Sequence, residues 1–585
     1  MGSGKTLPGG NEWSGRHSSV SLNGFLFLGG LLKSNVIYKK KVILGATIGS
    51  CVHVAGIFNF LSLARTEGYK SIFLGTSIPI RSLIESIKKT KPDIVAVSYR
   101  LTPESVLKVF NELKKGVNEI KTELIFGGTK PVAEIAKKTG IFKKVFTGEE
   151  SIDEVRNYLK GIKDGKKDKN FADTLVNRIN ASYPYPLIRH HFGRPTMRET
   201  IKGVKLIAES KVLDVLSLGP DQNAQEHFFQ PEKIDKKQNG AGGVPLRKPA
   251  DLKIIYKASR RGNYPLVRCY AGTNDLVKWA KMSVATIRNA WGAIPLCWYG
   301  VLDGRSSRNM MKTIEGNQET IRWYAKRNIP VEVNESHQWS LRDAHDSLAV
   351  ALAYLAAYNA KALGVKHYVS QYMFNTPAGT SPRMDLAKML AKKEMIESLS
   401  GKNFKVYTEV RAGLTSFSSD MDIAKGQLPA SGVLSLALQP HIFHVVGFSE
   451  GHHAIKAEEL IESCKIIHGM LRNTLTDFPE LTLDPLVQKR KKELINESRL
   501  ILKALKLLRG NKKKDAYVDS FVLASAVRIG LFDAPQLKDN SYAKGSINTR
   551  ILNGCCVVYD DKANKVVTEK ERIRKIFRGE GKCVE

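Results

Sequence analysis

Between residues 41 and 163 the apolar positions switch back and forth between two periods. Short β-rich runs fall at Val42–Thr47, Ser71–Leu74, Ile94–Ser98, Leu124–Phe126 and Lys144–Phe146. Between them, apolar residues recur at helical spacing over Ile57–Glu67, Ile80–Lys89, Pro103–Gly116, Val132–Thr139 and Ser151–Leu159. Regular alternation of strand and helix predicts an α/β domain with a doubly wound parallel sheet. Its length suits one domain.

The pattern then breaks. Gly161–Phe171 is polar and charged, and prolines 184, 186 and 195 interrupt the chain beyond it, so residues 164–210 read as a linker. Strand-like runs resume at Val212–Leu218, Gly243–Leu246, Leu266–Tyr270, Ile294–Tyr299, Val331–Asn334, His367–Met373, Val406–Val410 and Val433–Leu438. Eight such units with helices between them predict a (β/α)8 barrel of the TIM type. Polar residues near the ends of these runs (Asp221, Arg268, Asp303, Glu335, Gln371, Glu409) sit where barrel active sites are built. Residues 452–509 are helical and lysine-rich, which gives a barrel domain with trailing helices over 211–510 and a small C-terminal cap over 511–585. Residues 1–40 read as an irregular extension.

Composition narrows the class. The hydrophobic fraction is 42%, ordinary for a globular chain. Gly24–Leu32 is too short to span a bilayer and is followed by basic residues rather than a small-residue cleavage site, so a cytoplasmic protein with no membrane partner is expected. The formal net charge of +34 raises the possibility of a nucleic-acid partner. The lysines, however, are spread over helical faces with few interleaved aromatics, and a solvated surface is the expected reading. Seven cysteines are scattered without a C-x-x-C spacing, which argues against a disulfide scaffold, a zinc ribbon and an iron–sulfur site. The pairs His190-His191 and His452-His453 lack metal-ligand partners at useful spacing and read as loop histidines.

Three short motifs carry the chemistry of the first domain. Cys51-Val52-His53-Val54-Ala55-Gly56 follows the first strand, Ser98-Tyr99-Arg100 ends the third, and Gly127-Gly128 ends the fourth. Together they resemble the cobalamin-binding fold of B12-dependent mutases and methionine synthase, in which Asp-x-His-x-x-Gly supplies the lower axial ligand of cobalt. The resemblance makes His53 the cobalt ligand and Cys51, Gly56, Ser98, Gly127 and Gly128 cofactor-binding residues. It also exposes a departure: Cys51 stands at the aspartate position. An axial histidine ordinarily donates its other ring proton to a carboxylate, and a neutral thiol is a poor acceptor. A weaker or differently tuned axial bond is expected.

The later part resembles the catalytic subunit of glutamate mutase (methylaspartate mutase), here fused behind its cofactor domain. Gly243-Val244-Pro245, Pro265-Leu266-Val267-Arg268, Gly272-Thr273-Asn274-Asp275, Tyr299 to Arg305 and Gly530-Leu531-Phe532-Asp533-Ala534-Pro535 carry the resemblance. It implies that Arg268 and Arg305 grip a substrate carboxylate, because a guanidinium binds one bidentately. Asn334-Glu335-Ser336 replaces the family's Asn-Arg-Glu, which leaves Glu335 to face a cationic group, and Tyr372 falls on the family's substrate-side tyrosine. Of the residues that hold the adenosyl ribose, only Glu450 offers a carboxylate. The alternative for Arg268 and Arg305 is a buried ion pair, and for Glu335, His337 and Tyr372 a packing role.

The resulting expectation is an adenosylcobalamin-dependent isomerase, a radical carbon-skeleton mutase. Its substrate would be a small carboxylic or amino acid other than glutamate, with a homodimer possible. The competing readings are a corrinoid methyltransferase or methyl carrier, and a non-catalytic cobalamin-binding protein.

Overall fold

The computed structural model describes residues 41–117, 122–150, 152–161, 171–270, 273–475, 479–508 and 515–579. The expectation for 1–40 lies outside them.

The first domain folds as its pattern predicts. Strands β1 (Val42–Ile48), β2 (Lys70–Ile78), β3 (Ile94–Tyr99), β4 (Glu123–Gly128) and β5 (Lys144–Phe146) form one parallel sheet in the order β2-β1-β3-β4-β5. Helices α1 (Ala55–Thr66), α2 (Ile80–Thr90), α3 (Pro103–Val117), α4 (Lys130–Thr139) and α5 (Ile152–Leu159) cover its two faces. β3 is buried at all six positions, as a central parallel strand must be. α4 shows local sequence control: Pro131 sits in the first turn, and Gly140 ends the helix at φ 70°. The strand order reverses between β1 and β3, and ligands of such sheets bind at that reversal, beyond the strand carboxyl ends.

The second domain is an eight-stranded parallel barrel, and two of its strands lie outside the runs expected for them. Its strands are β6 (Leu187–Phe192), β7 (Val215–Leu218), β8 (Leu266–Cys269), β9 (Gly292–Ile294), β10 (Val331–Val333), β11 (His367–Phe374), β12 (Lys405–Ala412) and β13 (Ile442–His444). They pair in the order β8-β7-β6-β13-β12-β11-β10-β9, and the Ala290 N–H donates to the Val267 carbonyl at 3.0 Å across the remaining seam.

Residues 187–192, expected within the linker 164–210, therefore supply a barrel strand. The segment also holds helix α6 (Leu175–Ser182) and the helix Met197–Ser210. Two expected strands are not strands. Gly243–Leu246 is a loop touching the barrel through one isolated bridge, Pro220 to Val244. Val433–Leu438 is the end of a helix, Met421–Ser435, and its 3-10 extension.

Apolar side chains close the barrel at the edge where its strands begin. Leu187, Val215, Leu266, Val369, Tyr407 and Ile442 pack there against Leu175 and Ile179 of α6. The cap contains a three-stranded antiparallel sheet, β14 (Thr549–Leu552), β15 (Cys555–Asp560) and β16 (Lys565–Val566). It is tied to the barrel where the Cys556 N–H donates to Asp346 Oδ2 at 3.1 Å. No helix among the described residues is long and apolar enough to cross a membrane.

Candidate functional site

The three motifs of the first domain converge on one cleft of about 400 Å³ at the carboxyl ends of β1, β3, β4 and β5. His53 and Gly56 line it after β1, Ser98 from the end of β3, and Gly127 and Gly128 from the end of β4. The two adjacent glycines do different work. A Cβ on Gly127 would meet nothing within 4 Å, so its missing side chain leaves backbone open to the cleft. A Cβ on Gly128 would lie 2.6 Å from the Tyr99 carbonyl, so that glycine lets β4 approach β3. Gly56 likewise faces open space.

Thr147 and Gly148 also line the cleft, after β5, and the three sequence motifs do not include them. Glu150 holds that loop by accepting from the Thr147 and Gly148 amides, each at 2.9 Å. Those amides keep its carboxyl below the usual carboxylate range against the opposing effect of burial. The signal was present in sequence, since a small polar residue and a glycine again follow a strand.

His53 is exposed, while Cys51 is fully buried beneath it. The thiol sulfur lies 3.7 Å from His53 Nδ1, within reach of a weak sulfur hydrogen bond. Thr47 donates to the Cys51 carbonyl, and the Ser77 amide donates to the same carbonyl at 3.1 Å, so the turn presenting His53 is fixed from behind. The donor set and the glycine-floored cleft fit a corrin cofactor: an exposed imidazole for cobalt, open backbone and a partly apolar slot. Ser98 lines the same cleft.

Two residues of the barrel domain complete the cleft wall, Tyr185 and Arg472. Tyr185 precedes β6, and Arg472 lies in the last turn of the helix Ala457–Thr474. The Arg156 guanidinium of α5 stacks over the Tyr185 ring at 5.7 Å, and Lys211 pairs with Glu154 at 2.7 Å. These contacts lie at the edge where the barrel strands begin, opposite the mouth.

Inside the barrel a charged layer sits above the apolar floor. Arg189 of β6 pairs with Glu409 of β12 and bonds Ser217 Oγ at 2.8 Å. Arg268 of β8 pairs with Glu332 of β10 at 3.2 Å. Gln371 Nε2 bridges both carboxylates, at 3.1 Å to Glu332 and 3.0 Å to Glu409. Trp291 lies under both guanidiniums, 4.7 Å from Arg268 and 5.4 Å from Arg189, and donates to Glu332 at 2.7 Å. Burial holds the Glu409 carboxyl above its ordinary value, against the opposing pull of the Arg189 guanidinium. Toward the mouth stand His191, Tyr270 and Arg411, with His191 and Tyr270 in edge contact at 5.6 Å. Burial keeps His191 and His444 far below the usual histidine range, so both are neutral near pH 7.

This arrangement redistributes the barrel residues expected to meet substrate. Arg268 is 1% exposed and engaged with Glu332, the buried-pair alternative. Glu335 is fully buried, and its carboxylate accepts from the Leu296 and Cys297 amides at 2.8 and 2.9 Å and from Trp339 Nε1 at 2.6 Å. It anchors the loop after β9 rather than facing a ligand cation. Tyr372 is fully buried in the apolar core; its neighbour Gln371 points into the lumen, and strand alternation turns Tyr372 outward toward the helices. Arg305 does reach the mouth, bonded to Gln225 Oε1 at 3.4 Å, 3.7 Å from Asp303 and stacked over Tyr299 at 5.2 Å. Glu450, expected to hold the adenosyl ribose, instead stands on the loop after β13, 3.3 Å from His190 Nε2 and outside the cleft that His53 lines. His337 is buried and, like His191 and His444, held far below its ordinary value by desolvation. No group of three or more His, Cys, Asp or Glu among the described residues could hold a metal ion.

Comparison with known proteins agrees with the cleft. Residues 41–156 match the family described as B12 binding domain. Trimethylamine corrinoid protein 1 of Methanosarcina acetivorans is 29% identical over 101 residues, 17% of this chain and 46% of that protein. The trimethylamine corrinoid protein of Methanosarcina barkeri is 28% identical over 96 residues, 16% and 44% of the two chains. The chain thus spans just under half the length of these curated relatives. Among solved structures, a cobalamin-binding protein from Desulfitobacterium hafniense aligns over 21% of this chain and 59% of its own, at 23% identity and TM-score 0.19. The cobalamin-dependent S-adenosylmethionine radical enzyme OxsB aligns over 84% and 74%, at 8% identity and TM-score 0.18. The chain carries a B12-binding domain, joined to a near-closed parallel barrel.

Proposed function

We propose that this chain is a cobalamin-dependent isomerase in which the first domain holds adenosylcobalamin and the barrel holds a small acid. The observation that carries the cofactor assignment is the convergence of His53, Gly56, Ser98 and Gly127 on one cleft. His53 would bind cobalt, Gly56 and Gly127 would give the corrin and its tail access to backbone, and Ser98 would offer a hydroxyl. When bound, adenosylcobalamin supplies radical chemistry through homolysis of its cobalt–carbon bond. The barrel's part is to orient the small acid at its mouth and to exclude water there. In this reading the first domain has to swing from the edge where the barrel strands begin to the mouth for cofactor and acid to meet. The mutase type of reaction rests on the co-linear segments from Gly243 to Pro535.

A second reading, corrinoid-dependent methyl transfer, is favoured by a different observation. The cleft is walled by Tyr185 and Arg472, at the edge of the barrel away from its mouth, and the matching curated relatives are corrinoid proteins. A domain that carries a methyl group between partners needs no fixed seat over the mouth.

Purified protein loaded with adenosylcobalamin or methylcobalamin decides between them. Electron spin resonance of the adenosyl form with a panel of small acids should show cob(II)alamin coupled to an organic radical. Demethylation of methylcobalamin with no radical signal would replace the isomerase with the methyltransferase. Binding with neither response would reduce the protein to a cobalamin carrier.

A further inference from the structure

If the barrel mouth is a substrate site, on which reading this proposal rests, its arginines select the class of substrate. The two guanidiniums expected to hold a carboxylate, Arg268 and Arg305, have partners inside the protein, and so does Arg189. Arg189 is taken by Glu409, Arg268 by Glu332, and Arg305 by Gln225 and Asp303. Elsewhere around the mouth, Arg247 is bidentate on Asp221 at 2.9 and 2.5 Å. Arg308 donates to the Thr273 and Tyr299 carbonyls, and Arg342 bonds Gln338 and stacks 4.0 Å over Trp298.

Arg411 differs. It stands on β12 two residues beyond Glu409, so strand alternation puts it on the lumen side, one level nearer the mouth. Its one bond among the described residues runs from Nε to the carbonyl of its neighbour Ala412, at 3.3 Å, and no carboxylate there lies within ion-pair distance. Glu450, Glu409, Glu332 and Tyr270 act on it through space. The level beneath it holds polar atoms with no hydrogen-bond partner in nearly fully buried residues: Glu409 Oε2, His444 Nδ1 and Arg268 Nε. Buried polar groups are rarely left that way unless something else meets them. Beside Arg411, on the loop after the neighbouring strand, Glu450 accepts from the Gly447 amide at 3.3 Å through one oxygen, the same oxygen that faces His190.

We propose that the barrel mouth binds an amino acid as its zwitterion, with the carboxylate on Arg411 and the ammonium group on Glu450. One uncommitted guanidinium takes one carboxylate, and a nearby carboxylate disfavours a second anionic group while attracting a cation. Dicarboxylic acids are therefore poor ligands unless they also present the amine. The same pair explains how the site works with Arg268 and Glu335 committed to the scaffold. Arg268 and Glu332 belong to the charged layer beneath, and Arg411 and Glu450 supply the grip.

The test is isothermal calorimetry on the full chain, with and without cobalamin. The probes are L-alanine, L-lysine and L-ornithine, with propionate and succinate as ligands lacking the amine. At least one amino acid should bind, and propionate and succinate should bind at least about tenfold more weakly. Arg411→Gln should weaken the amino acid at least about 30-fold, and Arg411→Lys should recover part of that loss. Glu450→Gln should bring the amino acid and propionate closer in affinity. Cobalamin uptake by absorbance, and thermal unfolding, should be unchanged in Arg411→Gln, which separates a lost grip from a lost fold. Wild-type protein that takes up cobalamin and binds none of the amino acids overturns the inference and leaves the cofactor reading standing. So does equal binding of succinate, or an Arg411→Gln variant that binds like wild type. Wild-type protein that takes up no cobalamin overturns the cofactor reading instead.

Discussion

The Cys51 thiol lies 3.7 Å from His53 Nδ1, in the position from which an axial histidine is ordinarily oriented by a carboxylate. A thiol restrains the ring less strongly and adds little to its basicity.

Replacing that thiol should therefore tune the cofactor. Cys51→Asp should bind cobalamin more tightly, by about 10-fold, because outer partners of metal-bound histidines are worth that much. His53→Ala should abolish the imidazole nitrogen splitting in the cob(II)alamin spectrum. Unchanged splitting in His53→Ala would show that cobalt takes its lower ligand elsewhere.

Gly127 and Gly128 should separate binding from folding. Gly127→Val places its side chain in open cleft, so cobalamin uptake should fall while the melting temperature holds. Gly128→Ala forces a Cβ against the Tyr99 carbonyl and should cost about 1–3 kcal/mol in denaturant titrations.

Breaking the lumen pair should destabilise the barrel rather than merely slow it. Glu332→Gln leaves the Arg268 guanidinium buried without its counter-charge, a loss of about 3–5 kcal/mol. Equilibrium unfolding reads this directly, and a variant as stable as wild type would return Arg268 to the substrate.

Lys392, in the helix Pro382–Glu397, gives a pH signature. Burial, with a further push from Lys388, brings its ammonium down to about 7. The unfolded chain then holds a proton that the folded chain lacks between about pH 7 and the ordinary lysine value of 10.5, so stability rises with pH across that window. Lys392→Met should stabilise the protein at pH 7, and the gain should shrink toward pH 10.5. Thermal melts at a series of pH values measure it.

The cofactor domain was legible because its central strands β1 and β3 are almost fully buried apolar runs and its motif residues sit at strand ends. The barrel was legible in class and not in register. β6 reads Leu-Ile-Arg-His-His-Phe, and its inward Arg189 and His191 belong to the charged layer, so it looks polar and passed as linker. β13 is three residues long and follows Pro440, too short for a period to show. Val433–Leu438 shows the converse: a short apolar run fits strand and buried helix equally well. The site residues divide the same way. His53, Gly56, Ser98 and Gly127 follow from position along the chain, whereas Arg411 emerges only once the partners of the other arginines are known.

The apolar floor of the barrel, sealed from below by Leu175 and Ile179, turns the lumen into a blind alley. Entry and exit share a single doorway. Whatever comes to rest over that doorway acts as a valve on traffic in both directions, so a small molecule must be inside before the door shuts and must wait for it to reopen before leaving.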